Sequence, residues 1–149
     1  MRLLHQYLIN YLDNKRLLSQ HCECCALRGK GWGKKHSVVD YVFTHSPLRL
    51  VEYHRLMMDE MHNRKYNVDG RWYSREFRGQ HAKGPIPENK TDVFIPYIGV
   101  LKSRIKFTIY PEHDNNYLKE CLLNLKAKGA ELINGKTIDE MLIKCDLND

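Results

Sequence analysis

The sequence predicts a mainly α protein: a single compact helical domain with a long irregular middle segment. Three observations lead there. Apolar residues recur at three- and four-residue spacing in the first third, through the centre and again after residue 114, which is the period of one helix face. Good capping residues stand directly ahead of each periodic run. Between Lys65 and Pro111 the periodicity fades, and four of the five prolines occur there. A length of 149 residues suits one domain with a real core.

The first helix is expected from about Asn14 to Leu27, capped by Asp13 or Asn14, with Gly29 as the natural residue after its end. Leu17, Leu18, His21, Cys24, Cys25 and Arg28 form its largely apolar stripe, and Arg16, Gln20 and Glu23 share a neighbouring face. Ser37 can cap a short helix over Val38 to Thr44. Ser46-Pro47 is a start signal, because proline at the first helical position gives up only an orphan N–H. Leu50, Tyr53, His54, Met57, Met58 and Met61 then mark the longest helix, running to about Arg64, and the methionines read as core packing. Asp69-Gly70 is a turn signal, and Gly84-Pro85-Ile86-Pro87 breaks any helix. Val93–Val100 and Ile105–Tyr110 fit either short strands or an ordered loop. Asp114 opens a helix with Tyr117, Leu118, Cys121, Leu122 and Leu125 on one face, ended by Gly129. Thr137-Ile138-Asp139-Glu140 is a capping box for a last short helix that buries Ile138, Met141 and Leu142. The domain thus has three parts: 1–68, an irregular 69–112, and C-terminal helices over 113–149.

Composition narrows the partners. Lys+Arg 24 against Asp+Glu 18 gives +6 and a pI near 9.1, which favours a polyanion. No run approaches ~18 apolar residues, so no spanning helix is expected. The start Met1-Arg2-Leu3-Leu4-His5 has no secretory pattern, so a cytoplasmic location is expected. Five cysteines, three of them at Cys22, Cys24 and Cys25, are an odd set, and the remaining Cys121 and Cys145 do not form a second metal-type pair. Reduced, buried thiols with no metal and no cofactor are the expectation. Glu112-His113-Asp114 reads as a helix start rather than a metal site.

Arg28 to His36 reads Arg-Gly-Lys-Gly-Trp-Gly-Lys-Lys-His. Arg28, Lys30, Lys34 and Lys35 can neutralise phosphates, Trp32 offers a stacking surface, and the glycines admit a close ligand. His36 can contact a phosphate or cap a helix. Upstream, Met1 precedes a bulky Arg2, so the initiator methionine is expected to remain. Its α-amine, with a pKa of about 7.7–8.0 against about 10.4 for lysine, is partly neutral at physiological pH. A neutral amine can attack an electrophilic carbon and form an imine.

Met1-Arg2, the segment Gln20-His21-Cys22-Glu23, and the run from Lys35-His36 to Lys65-Tyr66-Asn67-Val68 resemble the pyrimidine-dimer DNA glycosylase/AP lyase family. These are the small phage endonuclease V type of repair enzyme and its bacterial relatives. The resemblance spans roughly the first 70 residues, and residues 1–68 correspond to the catalytic part. It implies that the amine of Met1 attacks C1′ of the damaged nucleotide, while Glu23 assists glycosidic cleavage and then drives β-elimination. Arg2 matches the arginine after the family's nucleophile, and His36 a histidine leading into the next helices. Arg16, Arg28, Lys30, Trp32, Lys34 and Lys35 would grip a kinked duplex with a flipped base. Three departures stand out. The phage enzymes begin with threonine after processing, and they carry arginine where this chain has Cys22. Their aromatic tail has no counterpart, for which Trp72 and Tyr73 are candidates. The expected function is excision of a dimer-like pyrimidine lesion from double-stranded DNA, with abasic sites also cleaved. The alternative is a non-catalytic DNA-binding module with a vestigial site; a metal-dependent nuclease using the Cys and His residues ranks third.

Overall fold

Side-chain caps mark where most of the helices begin. The computed structural model describes residues 2–33, 39–80, 82–88, 91–92, 94 and 108–148. An extended start leads into a 3-10 helix, Gln6–Tyr11, whose first turn is closed by His5 Nδ1 accepting from the Tyr7 N–H. Helix α1 (Asn14–Arg28) opens at Asp13, whose carboxylate accepts the Arg16 N–H at 2.9 Å. Helix α2 (Asp40–Thr44) follows Val39 without a side-chain cap, and the expected cap Ser37 lies outside the described residues. Helix α3 (Pro47–Asn63) starts as predicted, with the Ser46 hydroxyl accepting from Leu48 N–H. After a 3-10 turn, Gly70–Tyr73, the chain reaches α4 (Asn115–Ala127), capped by Asp114, and α5 (Ile138–Leu147), capped by Thr137.

Among the described residues there is no strand. The strand-like runs at 93–100 and 105–107 fall mostly outside them, and Thr108–Tyr110 is irregular. At the end of α1 the reason for glycine differs from expectation. Gly29 has φ −83, so no left-handed conformation is needed there. What glycine provides is room. A Cβ on Gly31 would lie 2.7 Å from the Ala26 carbonyl oxygen, and one on Gly29 3.1 Å from that of Arg78.

Helix α1 packs on α3 and α4 on α5, and both pairs meet in one core. All six predicted core residues of α3 are buried, as are Leu17, Cys24, Cys121, Leu122 and Leu125. Leu8, Leu17, Leu50 and Leu122 have no exposed surface; each contributes about 1.5–3 kcal/mol by leaving water. The irregular middle is tied down by polar bonds. Arg49 grips Asp92 through Nε and Nη2 at 2.8 and 2.9 Å and also donates to the Ile109 carbonyl. That guanidinium holds the Asp92 carboxyl well below the usual carboxylate range. No helix among the described residues is long and apolar enough to cross a membrane.

Candidate functional site

The start of the chain is held through its backbone. Gln20, on α1, donates to the Arg2 carbonyl at 2.8 Å and accepts the Leu4 N–H at 2.9 Å. Tyr53 of α3 donates to the Leu4 carbonyl at 2.6 Å, and Tyr117 of α4 donates to that of Leu3 at 2.5 Å. Behind Tyr117 stands a chain of polar groups. His113 Nδ1 accepts from the Gln6 N–H at 3.2 Å, so Nε2 carries the proton and donates to the Tyr41 hydroxyl at 2.8 Å. Tyr41 in turn is hydrogen-bonded to Tyr117. Burial keeps these histidines neutral: His5 is lowered to about 4 and His113 to about 3.

Glu23 follows Gln20 by three residues on α1, so the two side chains occupy one face a single turn apart. It is half-buried and has no hydrogen bond or ion pair among the described residues. Arg16, on the same side of the helix, does not pair with it: its guanidinium meets Asp13 at 2.6 Å. Arg2 is mostly covered, and its nearest acid is Glu120, at 4.0 Å. Met1, Lys34, Lys35 and His36 lie outside the described residues.

Residues 1–74 match the family model described as pyrimidine dimer DNA glycosylase. This half of the chain belongs to that family. No curated protein and no solved structure matches the chain.

At the far end of the glycosylase-family helix, the expectation for Arg28 is corrected. It is not a DNA-facing cation; it is fully buried. Nη1 donates to the Trp72 carbonyl at 2.6 Å, and Nη2 donates to those of Ser74 and Phe77 at 2.6 and 3.1 Å. Its guanidinium also stacks 5.1 Å from the Trp72 ring. Arg28 therefore fastens the 70–77 segment to α1, and Trp72 is committed to that contact. Trp32 is half-buried, set edge-on against Phe43 with ring centres 5.1 Å apart. Of the described cations in the basic block, Lys30 remains exposed.

Three metal-type ligands do converge: atoms of His21, Cys25 and His54 lie within 4.8 Å of one another. The neighbours have the wrong polarity for a cation. Arg28 Nη1 sits 3.0 Å from His54 Nδ1, and guanidinium can only donate, so Nδ1 accepts. The proton is then on Nε2, which donates to His21 Nδ1 at 2.8 Å. A metal at Nε2 would need that lone pair free and an acceptor beside Nδ1. Burial and the Arg28 charge hold His54 well below its ordinary pKa, and burial pushes the Cys25 thiol up to about 12. The cluster is a hydrogen-bonded chain running from the Arg28 guanidinium through uncharged His54 to His21.

Sequence reading missed Tyr53, Tyr117, Tyr41 and His113 as positioning groups. The available signal was a tyrosine on an apolar helix face, since a buried hydroxyl needs a partner.

Proposed function

We propose that this chain is a DNA glycosylase with AP-lyase activity that acts on damaged pyrimidines in duplex DNA. The observation that carries the reading is the Gln20 clamp. It holds the backbone just after Met1 against α1, one turn from Glu23. A nucleophile at a chain terminus is useful only if the terminus is ordered, because positioning supplies much of the rate.

In this reading, retained Met1 presents a neutral α-amine to C1′ of the lesion nucleotide. The C1′–N bond forms as the glycosidic bond breaks, and the departing base takes up a proton. Ring opening gives an imine between the amine nitrogen and C1′. Glu23 then removes a proton from C2′, and the electron pair expels the 3′ phosphate by β-elimination. Water hydrolyses the imine and frees the amine. Arg2 and Arg16 would attract the strand, with Lys30, Lys34 and Lys35 as further contacts and Trp32 and His36 bordering the lesion.

Borohydride reduction on duplex DNA with an abasic site tests this. The expected result is a covalent protein–DNA adduct, which is lost when the N-terminus is acetylated. Glu23→Gln should lower strand cleavage by roughly 10²–10⁴-fold, the usual size of a proton-transfer contribution. Cleavage that survives both changes would disprove the mechanism. Mass spectrometry of the adduct peptide should place the modification on Met1.

A further inference from the structure

The N-terminal segment, α1 and the end of α4 enclose a cleft of about 220 Å³. Leu4 and Leu125 line its apolar side, and Arg2, Lys15, Arg16 and Lys128 supply four cations. No carboxylate is among its described lining residues. Two acids stand near: Asp13, 2.6 Å from Arg16, and the exposed Glu120, 4.0 Å from Arg2. Four cations against two acids leave a net charge of +2. Lys15 and Lys128 are exposed, and neither is ion-paired among the described residues. Arg2 Nη1 is shielded from water and has no hydrogen-bond partner there. Arg2 lines the cleft with its side chain mostly covered, and an anion there would offset its charge.

We infer that this cleft binds a backbone phosphate of the DNA through Arg2, Lys15, Arg16 and Lys128. The inference rests on the DNA-processing reading above and extends it. Lys128 lies beyond the family match, so the C-terminal helices become part of the DNA interface rather than mere support. The competing role for Lys128 is local: it closes the C-terminus of α4, where a cation also suits the helix dipole. Salt dependence separates the two, because each lysine–phosphate contact releases counterions and a helix-end contact does not.

The test is binding of an undamaged fluorescent duplex across a salt series, comparing the native protein with Lys15→Ser/Lys128→Ser. Both lysines are exposed, so the variant should fold, and a thermal melt checks this. The expected result is roughly tenfold weaker binding near 0.1 M salt, and a slope of log K against log salt that is shallower by about 2. Lys136→Ser/Lys144→Ser, on the separate cleft beside Tyr7 and Tyr11, should leave the slope unchanged. An unaltered slope in the first variant overturns the inference, and stabilisation by inorganic phosphate alone would then assign the cleft to a free anion. Borohydride trapping reports separately. A changed slope without trapping removes the lyase and keeps the cleft; trapping with an unchanged slope does the reverse.

Discussion

Arg2 and Arg28 differ in what their charge is used for. Arg28 is sealed in the core, and two of its nitrogens are committed to three carbonyls and an imidazole. Each leaves one buried nitrogen without a partner, Nε in Arg28 and Nη1 in Arg2, but Arg2 lines a cationic cleft, with its nearest acid 4.0 Å away. Both look alike in a charge count. The difference teaches that a basic composition says little about binding until each cation's acceptors have been counted. The Arg28 end of the domain is built for integrity, whereas the Arg2 end gathers cations in a cleft with no carboxylate among its described lining residues.

The largest effect should come from attacking the first of these. Arg28→Ala strands three carbonyls and the His54 ring nitrogen, and roughly 3–5 kcal/mol of stability should be lost, read by urea unfolding. Arg28→Lys should recover only part of it, because one ammonium cannot reproduce the planar fork. If Arg28→Ala instead left stability intact and weakened DNA binding, the contrast would be reversed.

Acid should weaken both ends. His5 and His113 are neutral in the fold, with pKa values of about 4 and about 3 against 6.5 in the unfolded chain. Below pH 6.5 the unfolded chain binds protons that the fold excludes, so their contribution is complete above 6.5 and is lost as pH falls towards 4. The two together give an upper bound of roughly 3 kcal/mol per pH unit. His21 and His54, also lowered, add to it. Melting at pH 7 and pH 5 measures the fall, and His113→Gln should flatten it.

The smallest effect sharpens the Arg2 end. Tyr117→Phe removes the hydroxyl's bonds to the Leu3 carbonyl and to Tyr41 and should cost about 2 kcal/mol in stability. Imine formation should fall further than that cost explains, with the binding of abasic DNA barely altered. Equal losses in both would mark Tyr117 as structural only.

How much of this was legible in the sequence follows from how far apart the partners lie. Caps and stripes are set by residues within a turn or two, so Asp13, Ser46, Asp114 and Thr137 announced their helices. Arg28 was misread because its carbonyl partners come 44 to 49 residues later, from a segment without periodicity. Glu23 was identified by resemblance alone; its own side chain carries no local signature. The Gln20 clamp was invisible for another reason. It reads backbone atoms of residues 2 and 4, which any sequence supplies.

Tyr117 and His113 have one more consequence. They reach from the part of the chain without a family match to hold residues 3 and 6. The matched half is therefore not a detachable cassette. Its opening residues take their position from groups encoded more than a hundred codons downstream, so a fragment ending at residue 74 would carry the family's signature without the brace that sets where it begins.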